Sequence, residues 1–340
     1  MIFHHAALAV LLVGAVTLLA VVAAVPHAVA VLRHWDTGSG SGRQLVLERR
    51  TTLVSAVVAV MLVAQAAALL LFVFNADRMA TMFVGAMCAV GTLQVNRWGF
   101  PALFAQIASL FAAGMWLTLN AVDVRSPHYP LTRAKHALLL AVVPLSCVSF
   151  ALQFAYFAGL RADVITSCCG SLFSAATGTV AGELTGAFVG WQPSLAVPAF
   201  FAVIAAVAAL AFLVAFRGRG GALLGVGGVI GLVVALLAIV AFIAPYVYED
   251  PRHHCPFCIL KAEYSYRGYL LYVPLFGATA AALGALALQP FSGRALVTAQ
   301  VERATRTLAT VSGTLFVAFA LTVAWVIAAS RLVLIGHGAI

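Results

Sequence analysis

Apolar residues in this chain come in long blocks instead of alternating with polar ones. Eight blocks, near 6–32, 52–74, 100–121, 136–160, 193–216, 221–247, 265–288 and 308–330, are almost free of charge. Each reaches the roughly 20 residues that a helix needs to cross a hydrocarbon core. The pattern predicts eight membrane-crossing helices. Two further segments are intermediate. Residues 79–96 are apolar but short and broken by glycine, and residues 170–190 are moderately apolar and carry Glu183. They read as re-entrant or interfacial pieces. The expected fold class is all-α: a polytopic integral membrane helical bundle of about eight spans plus two short segments, with residues 1–340 forming a single membrane-embedded domain. Residues 6–24, followed by Ala28-Val29-Ala30, have the outline of a secretory signal. The stretch before them carries only His4 and His5 where a basic region is usual, so a retained first helix is expected.

Composition agrees. The chain is 64% hydrophobic and 9% charged, with mean hydropathy +1.08, against about 25% charged residues in a soluble domain. The net charge of +9 is spread over short inter-helix loops, which argues against a nucleic-acid surface. The sequence contains no Walker loop and no GxGxxG. The basic loops are Arg33 to Arg50, Arg125 to Lys135, Arg217 to Arg219 and Arg294 to Arg306. If neither intermediate segment crosses, all four fall on one face, which the positive-inside rule makes cytoplasmic. Both termini and the loop at 253–258 then lie outside, in the cell membrane of a multi-pass protein. The stretch "DTGSGSG" at 36–42 is a flexible linker by composition, too short to separate domains. Gly170, Ser174, Gly178, Gly182, Gly186 and Gly190 recur every four residues, a small-residue stripe suited to close helix packing.

The polar chemistry centres on sulfur. Six cysteines are present: Cys88, Cys147, Cys168, Cys169, Cys255 and Cys258. Cys147 sits mid-span and reads as a small buried hydrophobe. The other five lie in or beside segments expected on the outer face. In "HHCPFC", Cys255 and Cys258 have the spacing of a dithiol redox site, and at a helix N-terminus the dipole would favour thiolate at the first. Cys255-Pro256-Phe257-Cys258 resembles, over four residues, the active-site loop of thioredoxin-fold oxidoreductases, without their βαβ context. A cysteine pair beside a helix on an outer face is similar to the arrangement in the vitamin K epoxide reductase family. That resemblance implies electron passage between a quinone and a thioredoxin-like partner. The vicinal Cys168-Cys169 resembles the pairs of mercuric-ion transport proteins.

Two functions follow as expectations. One is a membrane thiol–disulfide electron carrier or oxidoreductase. In it Cys255 attacks, Cys258 resolves, Cys168 and Cys169 form a second couple, and an extracytoplasmic thioredoxin-like protein or a quinone is the partner. The other is a soft-metal transporter or metallation factor served by a copper chaperone. Cys88 with Met79, Met82, Met87, Cys168, Cys169, His253, His254 and Cys255 would then offer successive Cu(I) ligands, since thioether and thiolate are soft. A third reading, a structural membrane subunit with clipped loops, needs neither chemistry. Gln65, Gln106 and Gln153 are expected to hydrogen-bond between helices. The tyrosines of "EYSYRGYLLY" at 263–272 are expected to form a headgroup belt. No bis-histidine pair is evident within two neighbouring spans.

Overall fold

The computed structural model describes residues 5–36, 38–161, 193–294, 297–332 and 334. The eight apolar blocks are helices. The first span is α1 (His5–Ala23) running into α2 (Val25–His34), with Pro26 in the first turn of α2, where its missing N–H costs nothing. There follow α3 (Gly42–Arg78), α4 (Ala89–Leu93), α5 (Gly99–Arg125), α6 (Thr132–Ala158), α7 (Pro193–Arg217), α8 (Gly221–Ala238), α9 (Ala244–Tyr248), α10 (Arg267–Leu288) and α11 (Thr298–Ala329). A π-turn, Ile239–Ile243, joins α8 to α9 in one span. The described residues contain no strand. Among the described residues eight helices are long and apolar enough to cross a bilayer, so this is a multi-pass all-α membrane protein.

Residues 79–96 do not form a span. Met79–Met82 is a 3-10 turn and α4 is five residues long. The second intermediate segment, with Glu183 and the four-residue glycine stripe, lies outside the described residues.

The spans form two four-helix halves. In the first, α1 packs on α3, α3 on α5, α5 on α6, and α6 back on α1 and α2. In the second, α7 packs on α8, α8 on α10, α10 on α11, and α11 back on α7. The third span of each half forms the seam between them, α5 against α10. Small residues allow that approach. A Cβ on Gly114 would sit 3.8 Å from Ala280, and one on Gly284 would sit 2.7 Å from Thr118 Oγ1. Phe111 and Phe276 stack across the same seam, 5.8 Å between centroids. No sequence repeat signals these halves, because the repetition lies in helix order and contact, and both halves run in the same direction.

Two faces result. Arg133 Nη2 donates to Trp35 O at 2.6 Å, Arg306 reaches the α7 carbonyl ends, and Arg219 pairs with Glu302 at 3.1 Å. Leu119, Leu131, Phe291 and Val297 join the remaining loops on that side. Twelve of the 19 Lys and Arg residues lie at this basic face: Arg33, Arg43, Arg49, Arg50, Arg125, Arg133, Lys135, Arg217, Arg219, Arg294, Arg303 and Arg306. The opposite face carries residues 83–98 and 249–266, and Arg331 N there donates to Glu249 at 3.1 Å.

Candidate metal or redox centre: three cysteines on the seam

The loop between the second and third spans carries cysteine in both halves. Cys88 comes just before α4, and Cys255 and Cys258 lie between α9 and α10. The three sulfurs meet within 4.8 Å of one another, and Cys88 Sγ is 3.6 Å from Cys255 Sγ. That contact is non-bonded, since an S–S bond is about 2.05 Å. Cys88, Cys255 and Cys258 are 0%, 0% and 5% exposed. They pack with Val90 and against Phe100, Tyr248, Phe257 and Tyr264.

Local structure holds the CPFC loop in place. Tyr248 Oη donates to the Cys255 carbonyl, and Tyr272 Oη donates to the Pro256 carbonyl at 2.7 Å. Both oxygens sit at the end of a helix that the loop connects. Phe257 crosses the seam to meet Phe100 edge-on, 6.4 Å between centroids. Gly268, in the first turn of α10, is needed for close approach: a Cβ there would lie 3.0 Å from the Ile259 carbonyl carbon and 2.7 Å from Leu260 Cδ2. Cys258 opens a 3-10 turn, Cys258–Leu260, a second follows at Ala262–Tyr264, and α10 begins only at Arg267. The CPFC loop therefore does not cap the long helix whose dipole was expected to act on Cys255.

Burial and the neighbouring Cys258 raise the Tyr264 hydroxyl above its ordinary pKa. Tyr248 meets Tyr264 edge-on and stacks on His253, at 4.6 and 4.0 Å between centroids. The tyrosines near this loop are thus more than a headgroup belt, since they order the cysteine backbone.

The other sequence candidates fall in several places. His254 Nδ1 donates to Val240 O at 2.8 Å, a carbonyl in the π-turn, where i→i+5 spacing re-aims backbone groups. Neither His253 nor His254 joins the sulfur group. Met79 is a core residue, packed with Phe72, Phe83 and Leu93. Met82 and Met87 are exposed on the stretch leading to Cys88. Cys168 and Cys169 lie outside the described residues. Cys147 is a correction: it is exposed on the outward side of α6, so lipid contact, not core packing, explains it.

Sequence reasoning missed a second polar centre, on the basic face. Lys135, read as a loop charge, is 1% exposed and pairs with the fully buried Asp123 at 2.8 Å. Asp123 also accepts from Leu131 N and Thr132 Oγ1, both at 2.8 Å, and Lys135 donates to Asn120 at 3.0 Å. A pair buried this way needs each remaining polar atom satisfied to offset its desolvation. His27 and His136, from neighbouring spans, meet edge-on at 5.5 Å, so the expectation of no histidine pair is revised. The rings touch each other directly. The signal available was the run Thr132-Arg133-Ala134-Lys135-His136 at a predicted span start, with Asp123 about three turns of chain earlier.

No protein-family model, curated protein or solved structure matches the chain. The class it belongs to is therefore set by its own geometry: a polytopic helical membrane protein with a buried three-cysteine centre on the seam between two four-helix halves.

Proposed function

We propose that the three-cysteine centre binds a soft metal ion of the Cu(I) class, and that the protein is a membrane soft-metal transporter or metallation factor. The observation that carries this reading is the convergence of Cys88, Cys255 and Cys258 within 4.8 Å, buried, from loops 167 residues apart. A set of three sulfurs suits a soft cation, since thiolate ligands favour Cu(I) and Zn(II) over hard ions such as Mg(II) and Ca(II), and the thioethers nearby favour Cu(I) of the two. The burial favours an ion over a protein partner, because a small cation can pass where a foreign sulfur held in a protein loop cannot. Met82 and Met87 offer exposed thioethers on the approach to Cys88. Concentration of basic residues on the opposite face supports an extracytoplasmic position for the cysteines.

Anaerobic titration of the reduced, purified chain with Cu(I) against a competing chelator tests the proposal. One tightly held Cu(I) per chain is expected, with loss in Cys88→Ser and in Cys255→Ser and a weaker decline in Met82→Leu. Equal retention by wild type and Cys88→Ser would end it.

A second reading is a thiol–disulfide carrier, favoured by the 3.6 Å contact between Cys88 and Cys255. Attack of a Cys88 thiolate on a Cys255–Cys258 disulfide forms the Cys88–Cys255 bond, breaks the other and releases Cys258 as thiolate. This exchange leaves the protein's oxidation level unchanged; a partner dithiol would supply the two electrons that reduce the Cys88–Cys255 bond and would itself leave as a disulfide. Cys258→Ser would then accumulate a Cys88–Cys255 disulfide under mild oxidation, visible by peptide mapping. A metal-only centre would not require that species.

A further inference from the structure

A cavity of about 530 Å³ opens on the basic face, between the first turns of α3 and the ends of α5 and α6. That volume is in the range of small-molecule sites. Lys135, Asn120, Ser55, Arg49 and Glu48 line it, with Trp35 and Tyr129 as aromatic edges. Two of these are built in deeply: Lys135 is 1% and Ser55 3% exposed. Ser55 Oγ has no hydrogen-bond partner among the described residues, an expensive state for a buried hydroxyl unless a ligand or water meets it. Lys135 gives two of its three N–H groups to Asp123 and Asn120, which leaves one donor.

The charges select the ligand. Asp123 neutralises Lys135, so among the described lining residues the mouth keeps the Arg49 guanidinium and the Glu48 carboxylate. Glu48 uses one oxygen to accept from Gln44 Nε2 at 2.8 Å. Hydroxyl, ammonium and guanidinium donors in the lining suit a phosphate, and the carboxylate suits an amine that can donate back to it. The exposed apolar residues Leu53 and Val57 continue along α3 from Glu48 and Arg49 toward the bilayer interior, where acyl chains would lie. We propose that this cavity holds the headgroup of a phospholipid carrying both a phosphodiester and a primary amine. The phosphate meets Arg49, Ser55 and Lys135, and the amine meets Glu48. A singly anionic headgroup would leave Glu48 uncompensated beside its own charge, and a quaternary amine would offer Glu48 no N–H. The site lies on the face opposite the sulfurs and stands independently of the reading given to them.

The test uses the full chain, purified and stripped of lipid, and reads native mass spectra and unfolding temperature with added lipid. The probes are phosphatidylethanolamine, phosphatidylglycerol, phosphatidylcholine and soluble glycerophosphoethanolamine. One retained phosphatidylethanolamine per chain is expected, with a larger rise in unfolding temperature than either other lipid gives. Glu48→Gln should move the preference toward phosphatidylglycerol, and Ser55→Ala and Arg49→Gln should weaken retention of every phosphate-bearing probe. Each variant sits at the cavity wall and leaves the Asp123–Lys135 pair in place, so folding is checked separately by the unsupplemented unfolding temperature. A rise with glycerophosphoethanolamine equal to that with the lipid supports the same chemistry and assigns it to a soluble ligand. Equal or better retention of phosphatidylglycerol by wild type, or unchanged phosphatidylethanolamine retention in Glu48→Gln and Ser55→Ala, overturns the proposal.

Discussion

The two halves share a cycle of helix contacts and a direction through the bilayer, yet their interiors differ in chemistry. The second half is apolar and close-packed: Phe200, Ile204, Ile239, Leu275, Phe316 and Phe319 form one core. Among the described residues Thr279, Thr305 and Ser312 are its buried polar side chains. Gly221, Gly225 and Gly228 place one edge of α8 directly on α10, where Cβ atoms would come within 2.3, 2.6 and 2.5 Å of Ala285 O, Leu286 Cβ and Ala282 Cβ. The first half buries Asp123, Lys135, His136, Gln106, Gln153, Ser55, Ser109 and Ser149. A bilayer supplies no hydrophobic force between helices, so association rests on close packing or on polar links. One half relies mainly on the first device and the other adds the second. The contact cycle is therefore compatible with either, and the polar half is the one that carries the cavity lined by Glu48, Arg49 and Lys135.

That contrast can be broken at four positions. Asp123→Ala should have the largest effect, because it leaves the Lys135 ammonium buried without its counter-charge. A loss of about 3–5 kcal/mol is expected, read as a fall in unfolding temperature in detergent, and no single polar change in the second half should match it. Gly228→Val comes next. The added side chain must separate α8 from α10 at a cost of about 1–3 kcal/mol, measured the same way. Gly268→Ala should cost about 1 kcal/mol, but it pushes the CPFC loop off α10. Its informative readout is lowered yield of Cys88–Cys255 crosslinking by a short bifunctional thiol-reactive reagent. Gln106→Leu is the smallest and has the opposite sign. Both amide atoms of Gln106 lack partners among the described residues, so an apolar replacement should raise stability by about 1 kcal/mol. A fall there would mean that the buried amides of the first half are bridged by water in a network the substitution breaks.

Much of the fold was legible because apolar runs of span length admit few alternatives. What hydropathy missed was helix outside the apolar zone. The second and last spans were expected from residues 52 and 308, whereas α3 starts at Gly42 and α11 at Thr298. Arg43, Glu48 and Arg49, or Glu302, Arg303 and Arg306, lower hydropathy while remaining good helix formers. The cysteine centre was legible in part. CPFC announced itself by spacing, and the meeting of Cys88 with Cys255 followed from placing both loops on one face. The expected gathering of Cys168 and Cys169 falls outside the described residues. Gln65, Gln106 and Gln153 were expected to link helices, yet Gln65 Oε1, Gln153 Nε2 and both Gln106 amide atoms find no protein partner among the described residues. The Asp123–Lys135 pair was hidden because an isolated lysine near a span end looks like a topological signal. Only the packing of α5 against α6 shows that it points inward.

The position of the sulfurs also has a mechanical meaning. Cys88 belongs to one bundle and Cys255 to the other, and they touch at one end of the α5–α10 seam. Any ion or covalent bond joining them would act as a staple at that rim, while at the far rim the described residues of the two halves meet through side-chain packing. A joined pair of sulfurs would fix the spacing of α5 and α10 at that rim.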